Sequence, residues 1–82
     1  MENLPEWQSH KIVKGDKIIA DEPGLIMHTW SLDCGMSVEV SPSLEKRVPD
    51  GVDPVGGYYV LYKGGFESWS TAEAFEDGYT RL

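Results

Sequence analysis

The 82-residue chain has one cysteine, Cys34, so it can form no internal disulfide, and its Cys/His spacing matches no structural zinc site. Nothing staples the domain covalently, and a reducing compartment suits it. No apolar run approaches the roughly 20 residues that a membrane-spanning helix needs. Met1 to Ser9 carries Glu2 and Glu6 and has neither a basic nor an apolar region of the kind that starts a secretory signal. Positive charge is scarce as well: seven Lys and Arg face fourteen Asp and Glu, a formal charge of -7. That balance argues against a protein that grips nucleic acid by neutralising phosphates. A charged partner is expected to be basic. Length allows one domain, and a chain this short buries only about 60% of its unfolded surface, so oligomerisation would help it.

What is present reads as a turn-rich, mainly β chain, with nine glycines and five prolines. Residues 1–9 have no clean period and read as a lead-in whose Trp7 docks on a domain spanning 10–82. In Lys11 to Ala20 the β-branched Ile12, Val13, Ile18 and Ile19 bracket Gly15-Asp16. Two readings stay open: a hairpin turning at Gly15-Asp16, or one long strand with a bulge at Gly15. Pro23-Gly24 is turn chemistry. Leu25 to Leu32 and Met36 to Val40 alternate as a second hairpin about Asp33-Cys34-Gly35. Ser41 is placed to cap a short helix with Pro42 at its first position, and Asp50 to Gly57 is the longest loop.

In the last third, Tyr58 to Tyr62 is a strand, Gly64-Gly65 a two-residue turn, and Phe66 to Trp69 the return strand, pairing Val60 with Trp69. Ser70-Thr71-Ala72-Glu73 fits a capping box, in which Ser70 accepts from the amide three residues on and Glu73 reaches back. The helix so begun ends at Gly78, in the left-handed position. The fold class that follows is α+β: a mainly antiparallel sheet of five or six strands with two short helices.

Three groups of side chains are candidates for chemistry or binding. Cys34 with His28 upstream is the candidate for nucleophilic catalysis, but a neighbouring carboxylate disfavours a thiolate, and a structural cysteine is the preferred reading. Glu67, Glu73, Glu76 and Asp77 are candidate paired carboxylates, and on a short helix such groups are usually a solvated face. Asp50 and Asp53 do not follow a calcium loop, so no metal or cofactor is expected. Ring density is the stronger signal. Seven of the nine Phe, Trp and Tyr residues fall between Tyr58 and Tyr79. One face of a small hairpin cannot hide them all, and Tyr and Trp dominate binding hot spots. The expected contact residues are therefore Tyr59, Tyr62, Phe66, Glu67 and Trp69.

The stretch Gly56-Gly57-Tyr58-Tyr59-Val60-Leu61-Tyr62 through Ser68-Trp69-Ser70-Thr71-Ala72-Glu73-Ala74-Phe75-Glu76-Asp77-Gly78-Tyr79 resembles a family of small tailed-bacteriophage and prophage proteins of no assigned function. Ser9-His10-Lys11-Ile12-Val13 looks similar too. The chain departs from the family pattern at Gly64, Phe66 and Thr71, where the family has Asp, Tyr and Pro. A weaker likeness is to small phage anti-defence proteins that sequester NAD-derived signals, though this chain lacks their basic N-terminal strand. The resemblance implies a phage accessory protein acting in the host cytoplasm. Surplus rings, small size and acidity add the function expected: a non-enzymatic binding protein, a homo-oligomer that occupies a host protein or sequesters a small molecule, without contacting nucleic acid or membrane. A virion component and a small hydrolase are the alternatives.

Overall fold

A computed structural model describes residues 4–9 and 11–82; Met1 to Asn3 of the lead-in, and His10 of the first-strand resemblance, lie outside them. The described residues form an α+β fold whose seven strands are all paired antiparallel: β1 (Glu6–Gln8), β2 (Ile12–Glu22), β3 (His28–Leu32), β4 (Ser37–Val40), β5 (Tyr58–Leu61), β6 (Glu67–Ser70) and β7 (Thr80–Arg81). The helices are α1 (Pro42–Glu45) and α2 (Ala72–Gly78). The short strand β1 takes the count past the five or six expected, and it turns part of the supposed lead-in into sheet, with Leu4 buried in the core.

β2 organises everything else. It is one continuous strand, so the hairpin at Gly15-Asp16 does not form, and the register shift falls between Ile18 and Ala20 rather than at Gly15. The reason lies in what these two residues touch. A Cβ on Gly15 would stand 2.5 Å from the Tyr59 carbonyl oxygen, so glycine is there for the close approach of β5 and not for a left-handed turn. Asp16 is a buried strand residue whose Oδ2 accepts the Cys34 amide at 2.6 Å, holding the β3–β4 turn. On one edge of β2, Gly15 N–H donates to Pro5 and the Lys17 carbonyl accepts from Asp33, so β1 and then β3 follow each other along it. On the other edge Ile18 exchanges bonds with Gly56 and Gly57, extending the β5 pairing.

β3 begins at His28, three residues later than its alternation suggests. The last β2–β3 pair is Glu22 with Thr29, which leaves Pro23 to Met27 as an unpaired tip. Gly35 then turns the chain into β4 with φ +95°, and Val38 and Val40 point inward as expected. The β5–β6 hairpin is one residue out of the expected register: Tyr62 N–H donates to Phe66 O, and Tyr59, not Val60, sits opposite Trp69. Both Gly64 (φ +98°) and Gly65 (φ +89°) are left-handed, and Lys63 joins them in a three-residue connection. The slip decides which β6 side chains share a face with which β5 side chains.

The helix caps divide similarly. Ser41 caps α1 as expected, accepting from Leu44 N–H at 3.2 Å. At α2 the cap is Thr71, whose Oγ1 accepts from Ala74 N–H at 3.2 Å, while Ser70 still belongs to β6. The expected box of Ser70 and Glu73 is therefore replaced by a cap one residue later, at Thr71. Gly78 is not left-handed either: Tyr79 leaves the helix extended, its ring stacked on Phe75 at 4.7 Å. Thr71→Ala is expected to cost about 1 kcal/mol in urea unfolding, the usual worth of an N-cap. Ser70→Ala should stay within about 0.5 kcal/mol, as a partly exposed residue with no cap to lose; the opposite ranking would restore the Ser70 box.

Each face of the sheet carries its own core. One holds Leu4, Ile18, Trp30, Leu32, Val38, Val40, Leu44 and Tyr59; the other holds Val13, Tyr58, Val60 and Phe75 under α2. β5, with Tyr58, Tyr59 and Val60 all buried, supplies both in alternation.

Candidate binding groove

Five residues were expected to make contacts, and the structure separates them into two groups. Tyr59 is 0% exposed, and its hydroxyl donates to Glu67 Oε2 at 2.5 Å. Burial first, then Glu67, pushes the Tyr59 phenol far above its ordinary value. Trp69, opposite Tyr59, is half-buried against the same core and donates its Nε1–H to the Pro54 carbonyl at 3.2 Å. These three side chains are tied into the fold. Tyr62 and Phe66 form the second group, their centroids 6.0 Å apart near the hairpin turn. Phe66 is 54% exposed with the Arg47 guanidinium 4.6 Å above its ring, and Tyr62 lies half-buried with Lys11 Nζ at 4.7 Å.

The ring surplus is largely absorbed because two cores share it. On the α2 face Phe75 stacks on Tyr58 at 4.4 Å and meets Trp7 edge-on at 4.9 Å, as well as stacking on Tyr79. Tyr58 donates its hydroxyl to Glu76 Oε2 at 2.7 Å, and burial, followed by Glu76, pushes its phenol up to about 12. Burial, with Tyr62 adding to it, raises the Tyr79 phenol too. Of these seven rings, some of which were expected at the surface, Phe66 is exposed, Tyr62, Trp69 and Tyr79 are half-buried, and the other three are buried.

The other candidate groups stay apart. Glu67 and Glu76 hold tyrosines on opposite faces of β5 instead of converging as a carboxylate pair. Cys34 sits in the turn after β3 and His28 at that strand's far end, roughly 15 Å away along an extended backbone. What desolvation the Cys34 thiol suffers pushes it up, outweighing the Met36 backbone contact, and Asp16 adds to the rise. Asp33, its sequence neighbour, is not among the causes. His28 Nδ1 instead meets Asp21 Oδ1 at 3.2 Å, at the rim of a cleft of about 220 Å³ beside Trp30 and Pro49. No Ser, Thr or Cys lines that cleft among the described residues. Nor do three or more His, Cys, Asp or Glu among them converge to hold a metal ion.

What the sequence reading missed lies at the start of β2. Two adjoining clefts, of about 400 and 540 Å³, share Ile12, Tyr62 and Lys63. The first runs between β1, β2 and the β5–β6 turn and adds Lys14 and Leu61; the second adds Lys11 and Gln8. Ile12 is 51% exposed, giving the groove an apolar floor. Three of the chain's seven basic residues, Lys11, Lys14 and Lys63, therefore line a single groove on a chain of charge -7, and Glu6 is the acidic side chain among its lining. The available signal was the run Lys11, Lys14, Lys17 in a chain otherwise poor in cations.

No family model, no curated protein and no solved structure matches the chain. Among the described residues no helix is long and apolar enough to cross a membrane.

Proposed function

We propose that the chain is a small, phage-encoded, non-enzymatic binding protein, acting in the host cytoplasm, whose recognition surface is the lysine-lined groove between β1, β2 and the β5–β6 turn. Its partner is a protein segment bearing carboxylates beside aliphatic side chains. The observation that carries this reading is the gathering of Lys11, Lys14 and Lys63 around Ile12 and Tyr62 on a strongly acidic chain. Lysine stems add apolar cover to such a floor while their ammonium groups stay in water. The net negative charge of the rest of the chain disfavours acidic partners elsewhere, so electrostatics supplies orientation more than affinity. Aliphatic burial supplies the affinity, at about 25 cal/mol per Å² of apolar surface before ordering costs.

Of the residues expected from sequence, Tyr62 lines the groove and Phe66 flanks it, whereas Tyr59, Glu67 and Trp69 act behind it by holding β5 and β6 in register. The test is an NMR titration with two synthetic peptides, Asp-Glu-Leu-Ile-Leu-Asp and Lys-Lys-Leu-Ile-Leu-Lys. The acidic peptide is expected to shift the amides of Ile12, Lys63, Gly64 and Gly65, and the basic one to leave them in place. Equal response to both, or shifts confined to other surfaces, would rule the groove out.

A further inference from the structure

We infer that a second copy of this chain occupies the groove, inserting the tip of its β2–β3 hairpin, so that the protein assembles head to tail. This rests on the groove reading above and names the occupant. Pro23 to Met27 forms that tip, with Leu25 fully exposed and Ile26 92% exposed, the two most solvent-exposed large apolar side chains among the described residues. Nothing in the protomer covers them. Immediately behind stand Asp21 and Glu22, and Asp21 is held by His28 across the base of the hairpin at 3.2 Å. The tip is thus two aliphatic side chains followed by two carboxylates. The groove is an exposed aliphatic and aromatic floor, Ile12 and Tyr62, ringed by Lys11, Lys14 and Lys63. Apolar character and charge are complementary: the tip carries the two most exposed aliphatics among the described residues, and the groove gathers three of the chain's seven cations.

The two features occupy opposite ends of β2, which begins at Ile12 and ends at Glu22. Eleven strand residues cover roughly 35 Å along the backbone, so a protomer does not fill its own groove. A contact between unlike patches is heterologous: it leaves a free tip and a free groove at the ends of every oligomer and grows until a ring closes. A symmetric dimer, by contrast, would use the same patch twice.

Mixing two variants tests this contact. Leu25→Asp with Ile26→Asp removes the tip and spares the groove; Lys11→Glu with Lys63→Glu inverts the groove and spares the tip. All four positions are exposed, so both variants should keep the wild-type near-ultraviolet circular dichroism, and this is checked first. In sedimentation equilibrium up to about 1 mM, the wild-type mean mass is expected to climb with concentration past the dimer. That climb should be suppressed by about 0.5 M salt, which screens exposed charges. Each variant alone is expected to stay monomeric, and an equimolar mixture to form a dimer and stop there. A wild-type chain that remains monomeric, or variants that associate alone, or a mixture that does not associate, would overturn the inference. The acidic peptide separates the two levels: groove amides that respond to it while the chain stays monomeric leave the binding groove standing without this occupant. If the amides do not respond, the groove reading fails as well.

Discussion

Tyr59→Ala should leave the protein close to unfolded at 25 °C, with a loss of about 3–5 kcal/mol in urea denaturation. Small domains possess only about 5–15 kcal/mol in all. Tyr59 is wholly buried in the core that Ile18, Trp30 and Leu32 share, so removing its ring opens a cavity there. Its hydroxyl also gives Glu67 a hydrogen bond, so Tyr59→Phe should cost about 1 kcal/mol while keeping the packing. The pair of substitutions separates the ring's contribution from that of the hydroxyl. A surface contact residue would behave differently, with both changes within about 0.5 kcal/mol.

Gly15→Ala and Gly15→Asn are expected to destabilise by similar amounts, about 1–3 kcal/mol each, because any Cβ meets the Tyr59 carbonyl at 2.5 Å. The atom in the way is backbone, which cannot rotate aside; relief requires β5 to move off β2, taking the Lys14–Leu61 and Asp16–Tyr59 pairs with it. The asparagine variant makes the experiment discriminating. Asn is among the residues that tolerate the left-handed conformation of tight hairpins. Were Gly15-Asp16 a turn, Asn would be accepted and Ala rejected. In a continuous strand both fail together, and urea midpoints of the two variants decide between these outcomes.

The fold class was legible because alternation and turn chemistry mark most of the β segments: Val38 and Val40 point inward, Gly35 turns, Ser41 caps. Where reading failed, a tertiary contact had taken over a residue with strong local meaning. Gly15-Asp16 has the composition of a turn, yet Gly15 is small for β5 and Asp16 serves a turn 18 positions away at Cys34. Ser70 looks like a cap because Glu73 follows it, but strand pairing with Tyr58 claims Ser70 and passes the role to Thr71. Leu25 and Ile26 alternate like strand residues and have no strand beside them.

The site was legible only in part. Counting rings against one buried face overestimated the surface they would occupy, because β5 is buried on both faces and consumes Tyr58 and Tyr59 alike. That count singled out Tyr62, which lines the groove, and Phe66, which stands beside Tyr62. Lys11, Lys14 and Lys63 were not found, since Lys63 lies some fifty positions from the other two, and only the β2–β5 pairing and the hairpin turn bring it beside them. Charge summed over the chain hides such a local reversal of sign.

The most direct measurement is the affinity of Lys63→Glu and of Tyr59→Phe for the acidic peptide, each compared with the wild-type chain. A groove defined by lysines at the head of β2 predicts a loss of roughly tenfold or more for Lys63→Glu, equivalent to about 1.4 kcal/mol. Tyr59→Phe, altering a side chain with no exposed surface, should bind within about twofold of wild type. The reverse pattern, with the phenylalanine variant impaired and the glutamate variant unaffected, would contradict the account and return recognition to the buried tyrosine's side of the hairpin.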